Sequence, residues 1–451
     1  MRTLTVLAMC ALAVATAGSA SAQNFGADAR KVAMGGSGAA SENIASDLVE
    51  KTAPYTVIVI PIGLLQVFKD GTDPFNPTSD RFDPVRAIEN ASNPLHYTFG
   101  RGNTSPGQAF INDLVNGRVN TDLTTYVGFH IPETVSVQGL ASPSIGGTVK
   151  LARSANAFQG LYLGAGPYLG FDTNLDVDPR LATLLGEGTR YNNASMVVRN
   201  QSHVQLAFAV TVGYRGRVPL GTTASGQSTR DGVYVAYNYH FIRGLKYLQP
   251  DLVARFDTNA AGNLSLAPAT TPLSVVSIQG DTGTGRASDI GVQVVRGYFE
   301  VGFGVNGIGN HINWSDFTQT NYTLPSLTTA VRTGQAFTQT RGVAPFTTLR
   351  VSLPVVKTGN VGFRALGWGA LATVTNGYNG TSFHGGVERQ LGPLWVRGGG
   401  KHTRGKWDPT YGFGIGDRVA LDVGFYGTHA NLEGRRQTSM AVSLRFGRPG
   451  R

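Results

Sequence analysis

The chain has 451 residues, a formal net charge of +10 and only 15% charged residues, with 60 Gly, 22 Phe, 16 Tyr and 1 Cys. Glycine at about 13% is nearly twice ordinary usage and lacks a G-X-Y period, which excludes collagen. A hydrophobic content of 41% is too high for a disordered chain and too low for a bundle of transmembrane helices. Beyond the N-terminal stretch no run of ~18 apolar residues appears.

Residues 1–22 read as a secretory signal. Arg2 supplies the basic start, Leu4 to Thr16 the apolar centre, and Ala20-Ser21-Ala22 the small-residue cleavage site, with Gln23 as the mature start. Cys10 leaves with it, so the mature chain has no thiol or disulfide chemistry.

Residues 23–118 form an N-terminal segment of different character. Ala33 to Ala40 is small and Gly-rich. Ser41 to Thr52 predicts a short helix with Ile44, Leu48 and Val49 on one face, and Tyr55 to Phe68 has strand character. A turn-dense stretch carries Asp70, Asp73, Asp80 and Asp83, whose spacing is not that of a calcium loop. Phe110, Leu114 and Val115 suggest a further short helix.

From 119 to 451 the period becomes two. Val204, Leu206, Phe208 and Val210 alternate with Gln205, Ala207 and Ala209. Phe299, Val301 and Phe303 alternate with Glu300 and Gly302, and Leu349, Val351 and Leu353 alternate with Arg350 and Ser352. One parity is large and apolar; the other is Gly, small or singly charged. A soluble sandwich would place Thr, Lys and Glu on its second face. This pattern fits a membrane barrel, with the apolar parity against lipid and the other toward the lumen. A lipid-exposed chain without long apolar helices satisfies its backbone only as a closed barrel. The fold class is therefore all-β: a transmembrane antiparallel barrel of about 14 strands, within 12–16, with an N-terminal plug containing short helices. Strands of ~10 residues suffice to cross. Asp178 to Glu187 predicts a helix in a long connection, and 217–230, 259–288 and 306–342 read as long extracellular loops. Leu206, Phe208, Phe303, Leu353, Leu421 and Leu444 are expected to face lipid.

The opening Asp28-Ala-Arg-Lys-Val-Ala-Met-Gly-Gly-Ser-Gly-Ala-Ala resembles the small-residue start of FadL-type outer-membrane transporters and related secretion-associated barrels. The stretch from Gly392 to Phe446 is similar to the closing strands of that superfamily. The resemblance implies a fourteen-stranded plugged barrel that passes hydrophobic compounds, located in the Gram-negative outer membrane.

Enzymatic and cofactor motifs fail on context. Gly302-Phe-Gly-Val-Asn-Gly307 has the dinucleotide spacing, but no helix follows to hold a pyrophosphate. The 8 His show no zinc spacing, and no nucleophile matches His429. No enzyme, metal or cofactor is expected. The informative charges are Lys150, Arg255, Glu300, Arg350, Arg397, Lys401, Asp422 and Arg445, all on the non-apolar parity and so expected in the lumen. There they either orient an anionic head group or pair locally with carboxylates. The expected function is passive uptake of a hydrophobic or amphipathic small molecule, with the N-terminal segment occluding the lumen. Alternatives are a non-transporting scaffold for secretion or envelope assembly, and a general diffusion porin. Expected partners are outer-membrane lipid and lipopolysaccharide, the barrel assembly machinery and a hydrophobic or anionic amphiphile, and not nucleic acid.

Overall fold

The computed structural model describes residues 29–36, 43–50, 56–60, 96–99, 106–115, 119–142, 145–153, 158–220, 230–265, 273–324, 338–378, 380–403, 405–429 and 436–446. The signal region, the Asp70–Asp83 stretch and the last five residues lie outside these.

Eighteen strand segments form one sheet. Several share a position. β1 (Thr56–Ile60) and β2 (His96–Phe99) both pair with β18 (Arg436–Phe446). β3 (Thr134–Ala141) and β4 (Ile145–Arg153) both pair with β5 (Phe158–Val177). β10 (Thr338–Gly342), β11 (Leu349–Val351) and β12 (Val356–Ala365) all pair with β9 (Phe299–Leu324). Removing these four duplications from the eighteen segments leaves fourteen positions. The rest follow as antiparallel neighbours: β6 (Ser195–Pro219), β7 (Gly232–Asp257), β8 (Leu273–Arg296), β13 (Trp368–Gly377), β14 (Gly380–Leu391), β15 (Leu394–Thr403), β16 (Lys406–Gly416) and β17 (Val419–His429). The wall thus recruits β1 and β2 from the 23–118 segment, which the sequence places entirely in the plug.

The outer face is apolar. Phe208, Phe241, Phe303 and Leu421 are exposed, as are Val294, Val301 and Ile415. A monomer in water does not carry so continuous an apolar face; in a bilayer it is the surface that meets lipid. Leu206 shares this face, and Leu444 is half-buried, alternating with the buried Ser443 and Arg445.

Two expectations are corrected by strand length. β6 to β9 run 25, 26, 24 and 26 residues, far beyond the ~10 that cross a bilayer. The stretches 273–288 and 306–324, both expected as loop, are therefore strand that continues past the membrane. Within β6 the buried parity also reverses. Met196, Val198, Asn200 and Ser202 are buried at one end, whereas Gln205, Ala207 and Ala209 are buried after His203 and Val204. One parity does not hold over 25 residues, because the far end packs against helices rather than lipid.

Those helices are α3 (Pro106–Val115), a 3-10 turn (Leu123–Tyr126) and α4 (Pro179–Glu187). α4 begins where the sequence predicts: Asp178 caps it, Pro179 opens it, and Gly188 ends it in the left-handed conformation (φ 82°). In the N-terminal segment, α1 (Ala29–Ala33) and α2 (Ser46–Glu50) lie inside the barrel. Among the described residues α2 begins at Ser46 and not at the predicted Ser41, and Asn43 starts its first turn through its own carbonyl and side-chain oxygens.

Candidate functional site: the barrel interior

One strand passes three interior layers in order. On β7, Tyr234 and Ala236 pack with Ala45, Leu48 and Val49 of the plug. Ile242 and Tyr247 then join Tyr168, Trp314, Leu353 and Tyr378. Leu252, Ala254 and Phe256 finally meet Phe110, Phe129, Leu181 and Leu184. The described interior thus carries plug contacts, an aromatic layer and a helical cap in succession.

The plug is seated by wall glycines. A Cβ on Gly386 would stand 2.6 Å from Met34 Cα, on Gly412 2.6 Å from Ala33 Cβ, and on Gly304 2.9 Å from Asn43 Cα. Plug backbone and wall backbone touch, and this accounts for the glycine-rich parity of the sequence. Gly35 has φ +79° and leaves no room for a side chain against the Gly400 and Gly385 carbonyls. Backbone groups of the plug find partners in the wall. The Ala29 N–H donates to Ser443 Oγ (3.2 Å), Thr410 Oγ1 donates to the Ala33 carbonyl (3.0 Å), and His384 Nδ1 donates to the Gly35 carbonyl (2.6 Å). Asn43 Nδ2 donates to Gln293 Oε1 (3.0 Å), the Val292 carbonyl (3.0 Å) and Asn360 Oδ1 (3.1 Å).

A buried ionic chain joins plug to wall. Arg30 of α1 holds Glu388 with Nε (2.9 Å) and Nη2 (2.6 Å). Arg397 Nε lies 3.2 Å from Glu388, and its Nη1 lies 2.9 Å from Asp422. Arg445 Nε completes the chain on Asp422 at 2.9 Å. All five side chains are at most 4% exposed. The Trp395 ring lies 5.9 Å from the Arg397 guanidinium and 5.3 Å from that of Arg445. Charges this deep are tolerated because each is paired and hydrogen-bonded. A cavity of about 60 Å³ lies beside the chain, lined by Arg30, Met34, Asn43, Glu300 and Glu388. That is room for a few waters.

The eight expected lumen residues divide. Arg397, Asp422 and Arg445 come together in the chain just described. Lys401 is buried nearby on β15, with Nζ 4.8 Å from the Tyr426 ring centroid. Glu300 is buried and pairs with Arg230 (3.4 Å) and Arg364 (3.9 Å). Local pairing with carboxylates therefore describes Arg397 and Arg445. Three are not brought in. Lys150 lies on a strand exposed on both faces from Gly146 to Leu151. Arg255 sits on the outward face beside Asp257 (3.7 Å), because Leu252, Ala254 and Phe256 turn inward to the cap. Arg350 also points outward, since Leu349 and Val351 pack on the aromatic layer. Leu353, expected against lipid, is buried in that same layer. For Arg255, Arg350 and Leu353 the cause is common: where the interior is apolar, the apolar parity faces in.

The sequence reading missed Arg30, Glu388, Asn43 and His384. Arg30 stands inside the quoted opening, and its charge among small residues is the one signal that could have marked it. The aromatic layer is equally unmarked. Tyr247 and Trp314 rings lie 5.7 Å apart, Tyr247 and Phe317 6.0 Å, and Trp314 Nε1 donates to Gln205 Oε1 (3.2 Å). In the cap, Tyr126 Oη donates to Asp113 Oδ2 (2.6 Å), and burial raises the phenol to about 12. Among the described residues no cluster of three metal-binding side chains forms.

No protein-family model and no curated relative matches the chain. Among solved structures, it is similar to the toluene transporter TodX of Pseudomonas putida at 11% identity, over 74% of this chain and 91% of that one, with a TM-score of 0.34. The toluene transporter TbuX of Ralstonia pickettii gives 8%, 74%, 93% and 0.35. A Rhodopseudomonas blastica porin mutant gives 10%, 63%, 99% and 0.21. At such scores the likeness carries no inference about cargo. The chain's own strands, plug and apolar outer face make it a plugged membrane-spanning barrel that resembles the FadL type.

Proposed function

We propose that the chain is an outer-membrane channel, not an enzyme, for passive uptake of hydrophobic or amphipathic small molecules, with the N-terminal plug as its stop. The carrying observation is the aromatic layer of Tyr168, Tyr247, Trp314 and Tyr378 inside the wall. A water-filled porin has a polar interior; an apolar layer between plug and cap suits a cargo that leaves water readily. Passage requires the layers to part. The same filled interior favours the second reading, a non-transporting scaffold.

The test is uptake into liposomes of a fatty acid, its alcohol and a small polar solute, with the intact protein and with a variant lacking residues 23–50. The channel reading expects both apolar compounds to enter, the polar solute to be excluded, and the deletion to relax that selectivity. No uptake by the intact protein, with the heat-modifiable gel shift of a folded barrel retained, would overturn it in favour of the scaffold. Because Arg397 is locked between Glu388 and Asp422, Arg397→Ala with Lys401→Ala is expected to lower stability without discriminating acid from alcohol.

A further inference from the structure

The outer wall carries a basic patch that passage through the interior does not use. A row of paired residues crosses the long strands as Phe208, Arg243, Thr284, Asn313 and Arg350. The row below runs Val210, Phe241, Arg286 and His311. The alternate residues Ala209, Ile242, Ala287 and Ile312 are buried in the aromatic layer, so these rows face outward. Arg243, Arg286 and Arg350 are exposed. At ~4.8 Å between strands, the three fall within about 15 Å of one another. None is paired with a carboxylate among the described residues, and the neighbouring Asp281 is held by Lys246.

The height of the patch is set by the strand. Arg286 stands ten residues from Arg296, which begins the hairpin into β9. Between them Ile290, Val292 and Val294 are exposed on the same face. Ten residues on a strand tilted ~45° rise about 23 Å, close to the ~25 Å apolar band of such barrels. The patch therefore lies at one edge of the band. The patch end carries the long connections 177–195, 257–273 and 324–338 beside the tight 377–380 and 403–406, whereas the opposite end carries the tight 296–299, 365–368, 391–394 and 416–419. This balance marks the opposite end as periplasmic, and the 219–232 connection, expected as extracellular, falls there beside the 296–299 hairpin. The patch faces the outer leaflet.

We propose that Arg243, Arg286 and Arg350 bind the phosphate groups of lipopolysaccharide, with its acyl chains lying over Phe241 and Ile308 on the bilayer side of the patch. The assignment rests on the outer-membrane placement proposed above. Guanidinium forks match phosphate oxygens two at a time, and three of them suit a phosphate monoester bearing close to two charges better than the single charge of a phosphodiester lipid.

The experiment uses the full mature protein, purified folded in detergent and checked by its heat shift, so that loss of binding is separate from loss of the barrel and independent of transport. Retention of bisphosphorylated lipid A, its monophosphorylated form and phosphatidylglycerol is read by native mass spectrometry. The wild type should hold bisphosphorylated lipid A best. Each of Arg243→Gln, Arg286→Gln and Arg350→Gln should weaken it by about fivefold, and Arg296→Gln at the periplasmic edge should not. Equal retention by the triple variant would overturn the site. Equal binding of phosphatidylglycerol, with equal sensitivity to the three substitutions, would overturn the assignment to lipopolysaccharide and leave a general anionic-lipid surface.

Discussion

The two halves of the wall solve the same closure problem with opposite chemistry. From β12 to β18 the strands are 10–12 residues long, and their inner face is polar: Thr375, Ser382, His384, Glu388, Arg397, Asp422 and Arg445 are all buried. From β6 to β9 the strands are more than twice as long, and above the plug their inner face is largely apolar. The short half holds α1 by pairing, hydrogen bonds and backbone contact. The long half fills its own upper interior by packing aromatic rings and a helical cap. Ionic seating is specific but brittle, because removing one partner strands the other. Apolar packing degrades more gradually with lost contact.

The sharpest way to break this comparison is Glu388→Ala. It removes the buried carboxylate that Arg30 and Arg397 share. The expected loss is about 3–5 kcal/mol, read as a lowered urea midpoint of the heat-modifiable form. An unchanged midpoint would mean that the plug is held by backbone contacts alone.

Next is the wall itself. Phe303→Arg puts a charge on the lipid face, where Phe303 is 55% exposed; the cost is about 2–4 kcal/mol at the midplane. Its neighbour gives the contrast. From the sequence alone, Gly304 would accept Ser if the lumen had room. The structure removes that room, since a Cβ there meets Asn43 Cα at 2.9 Å. Gly304→Ser should therefore cost about 1–3 kcal/mol by overpacking. Single-channel recording should show more frequent opening with the barrel still folded. A closed channel with wild-type stability would show that the plug yields without leaving its seat.

How far the sequence reached follows the same division. Alternation of Phe299, Val301 and Phe303 with Glu300, Gly302 and Gly304 identified a barrel wall, and fourteen positions followed from length. This worked because lipid imposes one rule on every outward residue. It failed for Arg255, Arg350 and Leu353, where the chain has passed beyond lipid or lines an apolar interior. There the same alternation carries the opposite sidedness. Nothing local to Arg350 distinguishes the cases; the deciding contacts, Leu349 and Val351 on the Trp314 layer, are long-range. The interior ion chain was half legible. Arg397, Asp422 and Arg445 stood out as charges on a small-residue parity. Arg30 and Glu388, which tie them to the plug, lie 358 residues apart.

The smallest expected effect tests the cap of the long half. Asp178 accepts from the Arg180 N–H (3.0 Å) at the start of α4, and Arg180 Nη2 reaches its other oxygen (2.8 Å). The Arg180 side chain hydrogen-bonds the carboxyl and holds it below the usual carboxylate range, against a smaller opposing effect of burial. The group is depressed in the folded state, so its contribution is present above the ordinary carboxylate range and fades as pH falls through the folded value. Asp178→Ala should remove an N-cap worth about 1 kcal/mol, with the exposed Arg180 pair adding little. Amide exchange in 179–187 should quicken at pH 7, and wild type and variant should converge as the buffer is taken below the lowered folded value of the Asp178 carboxyl. Exchange around Ala29–Ala33 should not change, because that segment is seated by the other half. If α1 loosened together with α4, the two halves would be one cooperative unit and the contrast between them would fail.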